Sequence, residues 1–285
     1  MSGAVNIAAN GAARGAARGL DLLDEFGFEA AAIVLGPEGE RERRGDVTRI
    51  RPWRSVTKTL TGYGAALALQ EGRADLADEA GPPGATLRHL LSHASGYFYE
   101  SESTLQAPGL RRHYSNYGID EAARHLERAL GRDYGDWVQD RIADPLGMDG
   151  LEWSGSASVG AHGALTDLAL FAAELLRPTL LEPRWYAELT RIQFPELVGI
   201  MPGFGKQEPN PFGLGLEIRG SKSPHWTGRA NSEATIGHFG MRGTAFWVDP
   251  VADLALVVGT SHDFCDTHRE VMPRLADAVL EAHAG

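Results

Sequence analysis

Three apolar runs frame this chain, and they stand at its two ends. AAAIVLG (30–36) lies near the amino end, while GTAFWVD (243–249) and LALVVGT (254–260) lie near the carboxyl end. Short, almost purely apolar runs bounded by turn residues read as buried strands. Between them the pattern turns helical: IDEAARHLERALG (119–131), YGDWVQDRIADPLG (134–147) and TDLALFAAELL (166–176) carry apolar residues three to four apart, and RWYAELTRI (184–192) continues the series. A sheet drawn from both ends must bring those ends together. The expected fold is α/β (α+β): an antiparallel sheet domain built from residues 1–60 and 205–285 and covered by terminal helices, with residues 61–204 inserted as a mainly helical domain. A ligand site belongs in the cleft between the two.

Finer signals fill this frame. Residues 12–25 have helical character, with Leu20, Leu22, Leu23 and Phe26 on one side. Pro37-Glu38-Gly39 turns the first strand into a return strand that ends near Val47. A helix runs from Ser55 to Gln70 and stops at Gly72; Thr86 caps a short one through His93, ended by Gly96. FGLGLEI (212–218) reads as a further strand, residues 249–253 join the last two strands into a hairpin, and an amphipathic helix occupies about 268–282.

Composition narrows the function classes. The formal net charge is −11, which disfavours nucleic acid or an anionic membrane as an electrostatic partner. A single cysteine, Cys265, permits no intrachain disulfide. No window approaches a membrane span and no secretory signal is recognisable, so a cytoplasmic location is the expectation.

WRSVTK (53–58) sets Ser55 and Lys58 one helical turn apart on the same face, at the head of a helix. Free N–H groups and the positive dipole end there favour a nucleophilic oxygen and the charge that follows its attack on a carbonyl. Only three of the 27 basic residues are lysines: Lys58, Lys206 and Lys222. A desolvated lysine can act as a base, and arginine cannot. By itself the pair is also compatible with a capped helix end.

Two further stretches carry reactive side chains. In RRHYSNYG (111–118), Tyr114 and Asn116 can share one cleft, the phenol relaying a proton and the carboxamide holding a substrate or the lysine. A polar turn is the plain alternative. In TIGHFGMRG (235–243), His238 and Gly240 precede a strand, where glycine lets backbone approach a ligand and histidine can handle a proton or sit buried in a loop. His89 and His93 stand four apart and could share one zinc, although Leu90 occupies the glutamate position of a zinc-protease helix.

In order, S-V-T-K, Y-S-N and H-F-G resemble the three motifs of the serine β-lactamase-like superfamily, in its class C β-lactamase, DD-peptidase, D-aminopeptidase and esterase branch. SVTKTLTGYGAALALQEGRADLAD, TLRHLLSHASGY, DPLGM and GTAFWVDP resemble that family too, over about residues 28–262. The resemblance implies that Ser55 is acylated, Lys58 is its base, Tyr114 passes the proton to the leaving group and Asn116 orients lysine and substrate. It implies an oxyanion hole from the N–H groups of Ser55 and Met241, and no metal or organic cofactor. The implied partner is a small ester, amide or peptide-like molecule.

Two departures modify that picture. His238 replaces the lysine of K-T-G, a permanent cation suited to a substrate carboxylate, whereas histidine is mostly neutral at pH 7. Neutral esters or amides are therefore expected to be better substrates than β-lactams, unless Arg242 supplies the missing charge. Trp53-Arg54 stands where the family has smaller residues. A β-lactamase or DD-peptidase, or a binding member of the fold that has lost the reaction, are the alternatives.

Overall fold

The computed structural model describes residues 19–283. A 3-10 helix, Gly19–Phe26, leads into strands β1 (Ala30–Gly36) and β2 (Gly39–Arg44), with β3 (Arg51–Pro52) following. A second 3-10 turn, Arg54–Val56, runs straight into α1 (Thr57–Gln70). Helices α2 (Leu87–Leu91), α3 (Asn116–Leu130), α4 (Tyr134–Val138) and α5 (Asp144–Leu146) come next. Short strands β4 (Glu152–Trp153) and β5 (Ala161–Gly163) precede α6 (Leu165–Leu176) and α7 (Pro183–Thr190). A hairpin of β6 (Gly199–Met201) and β7 (Gly205–Gln207) is followed by β8 (Glu217–Ile218), β9 (Ile236–Phe239), β10 (Thr244–Asp249), β11 (Leu254–Thr260) and α8 (Asp266–His283).

The main sheet has the order β2-β1-β11-β10-β9-β8 and every pairing is antiparallel. Val34 faces Leu256 across β1 and β11, and Phe246 faces Val257 across β10 and β11. Thus both ends of the chain build one sheet, as the apolar runs require. Side chains alternate between two cores. Ala32, Val34, Leu256 and Val258 pack with Leu20, Leu23, Leu275 and Val279 under the terminal helices. Ala31, Ile33, Phe246 and Val257 pack on the other face with Leu165, Leu168, Phe171 and Leu175 of α6. Burial on both faces explains why these strands show no polar alternation. The second face is covered by a helix from mid-chain, so the terminal helices cover only one side.

Several elements differ from the sequence reading. Residues 12–18 of the first expected helix lie outside the described residues, and Gly19–Phe26 is 3-10 rather than α. The 134–147 helix contains five π-helical residues, Gln139–Ala143, just before Pro145, which has no N–H to give a preceding carbonyl. Of 212–218 only Glu217–Ile218 pairs as strand. Gly215 adopts φ +69° and lies against α1, where a β-carbon would meet the Lys58 carbonyl oxygen at 2.2 Å.

Helix α1 runs through the middle of the molecule, with Thr57 to Leu69 buried without interruption. Its polar side chains are accounted for by hydrogen bonds: the Thr57 hydroxyl accepts from the Ala161 N–H at 3.0 Å, and Thr61 donates to the Ala157 carbonyl at 2.6 Å. Among the described residues no helix is long and apolar enough to cross a membrane.

Candidate active site

The nucleophile candidate is set by its neighbours. Trp53 is fully buried and donates from its indole to the Gly163 carbonyl at 3.1 Å. Arg54 then takes the left-handed conformation, φ +51°, unusual for a residue with a side chain. Such a residue costs about 1–2 kcal/mol and persists only where its surroundings enforce it. Packed against it is Gly240, where a β-carbon would stand 2.3 Å from the Trp53 carbonyl oxygen and 3.1 Å from the Arg54 β-carbon. The twist delivers Ser55 into the first turn before α1, where backbone N–H groups have no intrahelical acceptor.

Lys58 reaches Ser55: Nζ stands 3.2 Å from the hydroxyl and donates to the Ser158 carbonyl at 2.9 Å. Its amine also lies 4.9 Å from the centre of the Tyr114 ring. The side chain is completely buried. Desolvation brings its pKa down to about 7, against the opposing pull of Asp120 and Glu100. At neutral pH a large share of this lysine is therefore unprotonated, the state in which it can accept a proton.

Tyr114 and His238 meet beside the serine in the same cavity, phenol oxygen to Nε2 at 3.3 Å. Burial pushes the phenol far above its ordinary range, although the nearby Ser55 hydroxyl works the other way. Burial likewise brings His238 down to about 4, with Lys58 adding to the effect. His238 Nδ1 lies 2.9 Å from the Phe239 carbonyl, so the hydrogen-bond pattern assigns the proton to Nδ1 and leaves Nε2 to accept from the phenol. Lysine amine, serine, phenol and imidazole thus form one cluster.

Asn116, the first residue of α3, is buried nearby. Its amide donates to Glu100 at 3.4 Å and its oxygen has no partner. The lysine's own hydrogen bonds go to Ser55 and Ser158 instead. Gly240 closes the turn before β10, its N–H donating to the Thr244 carbonyl at 2.7 Å. The following Met241 N–H has no acceptor among the described residues. Ser55, Tyr114, His238 and Met241 line one small cavity, walled otherwise by Tyr99, Met201, Pro202, Phe212, Glu217 and Phe239.

The two histidines at 89 and 93 do not form a pair. Helix α2 ends at Leu91, and His93 follows it with φ +59°, so the four-residue spacing is not helical there. His89 Nδ1 faces the Thr86 hydroxyl at 2.9 Å. His93 Nδ1 accepts from the Ser115 N–H at 3.2 Å and its ring lies 4.5 Å from that of Tyr114. It is the wall behind the tyrosine. Arg242 offers no compensating charge to the cavity, because it pairs with Asp263 at 2.9 Å on an exposed surface.

Sequence reasoning missed three contributors. Glu217 is buried in the cavity wall with Lys222 at 2.7 Å, His225 at 2.9 Å and the Trp226 indole at 2.8 Å. Burial alone would raise its pKa, but Lys222 and His225 outweigh that and hold it well below the ordinary carboxylate range. The scarcity of lysine was the one available signal, since Lys222 is one of the three. Asp120 and Ser158 adjoin Lys58 through contacts 38 residues apart or more, which no local pattern announces.

An antiparallel sheet against an internal helix headed by a serine–lysine pair is the architecture of β-lactamase/transpeptidase-like proteins, and comparison with known proteins agrees. The family model described as Beta-lactamase matches residues 47–281. The chain belongs to the β-lactamase family, whose members are generally hydrolases. A β-lactamase from Mycobacterium bovis, solved as a crystal structure, is 45% identical, with a TM-score of 0.92, covering 94% of this chain and 100% of that one. EstCE1, a hydrolase with promiscuous acyltransferase activity, shares the fold at 16% identity and TM-score 0.75, covering 92% and 96% of the two chains. Simvastatin synthase (LovD) from Aspergillus terreus does so at 15% and 0.74, covering 93% and 96%. No curated protein sequence matches the chain.

Proposed function

We propose that this chain is a serine hydrolase that cleaves a small neutral ester or amide through a covalent acyl-enzyme on Ser55. The observation that carries this reading is the 3.2 Å contact between the Ser55 hydroxyl and a fully buried Lys58 amine whose pKa lies near 7. Lys58 takes the serine proton as Oγ attacks the carbonyl carbon. The resulting oxyanion is received by the N–H groups of Ser55 and Met241. Tyr114, kept as a phenol, gives its proton to the leaving oxygen or nitrogen and is recharged from Lys58. His238 holds the phenol in place by accepting its hydrogen bond, and Asn116 offers its free carboxamide oxygen to the substrate. Water then attacks the acyl-enzyme by the same steps in reverse.

The preference for a neutral substrate rests on charge. His238 is uncharged at pH 7, Arg242 faces solvent, and Lys222 behind the cavity wall is taken up by Glu217. Among the described residues, no lysine or arginine lines the cavity to meet a β-lactam carboxylate. The second reading, β-lactam hydrolysis, is favoured by the 45% identity to a protein described as a β-lactamase. A fluorophosphonate probe should add its mass at Ser55, and Ser55→Ala should lose both labelling and turnover. If cephalosporins were hydrolysed faster than short p-nitrophenyl esters, the second reading would replace the first.

A further inference from the structure

We propose that Asp120 is a positioning residue for the lysine base, acting through the Ser158 carbonyl that receives Lys58; this rests on the reading of Lys58 as base. Asp120 lies one turn after Asn116 on α3, half-buried, and points its carboxylate at the loop that precedes β5. One oxygen accepts from the Ser158 N–H at 2.9 Å and the Ser156 hydroxyl at 3.1 Å; the other accepts from the Ser158 hydroxyl at 3.2 Å. The loop is closed on itself by the Gly160 N–H on the Ser156 carbonyl, 2.8 Å, and the Ser154 hydroxyl on the Gly160 carbonyl, 2.8 Å. Ser158 is fully buried.

These bonds have one outcome. The peptide carrying the Ser158 N–H is fixed by the carboxylate, and the next carbonyl along is the one 2.9 Å from Lys58 Nζ. A buried amine needs such an acceptor, and Asn116 does not supply it. The carboxylate also puts a negative charge on the loop side of the lysine. Facing Lys58 from other elements are Glu100, the neutral Tyr114 ring, and the largely neutral His93 and His238. Asp120 and Glu100 are thus the only carboxylates that act on it appreciably among the described residues, and Asp120 is the stronger.

The role predicts a pH signature that loop stability alone would not give. A base must be unprotonated, so acylation of Ser55 rises with pH through the Lys58 pKa. Removing a nearby negative charge favours the neutral amine and lowers that pKa. The experiment measures the rate of Ser55 labelling by a fluorophosphonate from pH 5 to 9 in wild type, Asp120→Asn, Asp120→Glu and Lys58→Ala. In Asp120→Asn the rising limb should move down by about one pH unit, while the plateau falls at least ~10-fold as the Ser158 carbonyl is released. Should that variant not fold, Asp120→Glu keeps the charge and displaces the carboxylate: its limb should stay where wild type has it, with the plateau reduced. An unchanged limb and plateau in a folded Asp120→Asn, or an unchanged plateau in Asp120→Glu, overturns the role of Asp120 alone. No labelling of wild-type Ser55, or a wild-type limb in Lys58→Ala, overturns the hydrolase reading and the positioning role with it.

Discussion

A β-carbon on Gly240 would stand 2.3 Å from the carbonyl oxygen of Trp53. That single approach joins the turn before β10 to the residue two before Ser55, and it holds the strained Arg54 peptide between them. Gly240→Ala should therefore push the Met241 N–H away from the serine as well as disturb Arg54. We expect at least ~10²-fold loss of turnover, the scale of a lost oxyanion donor. Steady-state kinetics on an ester, beside a melting curve showing that the variant is folded, checks this. Wild-type kcat in the alanine variant would show that the contact is dispensable.

The pH dependence of catalysis follows from Lys58. With its pKa at about 7, the rate should climb between pH 6 and 8 and then level off. His238, brought down to about 4, adds no second rise in that window. Lys58→Ala should lower turnover by at least ~10²-fold. A rate that is flat from pH 5 to 9 would separate the lysine from the chemistry.

The same lysine should weaken the fold. Its folded pKa is depressed from the ordinary 10.5 to about 7, so between those values the unfolded chain binds more protons. Stability then rises with pH across that window, and the penalty is fully present at and below pH 7. Lys58→Met removes the penalty along with the proposed base. The variant should be inactive but melt higher than wild type at pH 7, with the gap closing towards pH 10. Melting temperatures across that range decide it, and a gap that widens with pH contradicts the burial argument.

Glu217 should be a stability residue whose loss is costly. It neutralises Lys222 and accepts from His225 and Trp226, all out of contact with solvent. Glu217→Gln leaves a buried cation without its partner, which costs about 3–5 kcal/mol. Denaturant unfolding should show the loss directly. A double change, Glu217→Gln with Lys222→Met, should recover part of it, because both charges are then gone.

How much of this was legible in the sequence depends on range. Strands β1, β10 and β11 were readable because a strand buried on both faces writes itself as a continuous apolar run. Ser55 and Lys58 were readable because one helical turn fixes their separation. The left-handed Arg54 was not, since the glycine packed against it is almost two hundred residues away. The strand expected over 212–218 failed for a related reason: alternation looked right, but Gly215 is needed for contact with α1. His89 and His93 had helical spacing without a helix, because α2 stops at Leu91. Asp120, Ser158 and Glu217 carry ordinary local signals and acquire their roles only when distant segments meet.

The uninterrupted burial of α1 has a consequence for how this protein fails. Its first turn carries the lysine, the 3-10 turn that leads into it carries the serine, and residues Thr57 to Leu69 are all buried. Amide hydrogens in such a helix exchange with solvent only when the whole molecule opens. The loops at the cavity mouth can breathe while Lys58 stays in the slowest-exchanging part of the chain. On heating, activity and the last protected amides should therefore disappear together.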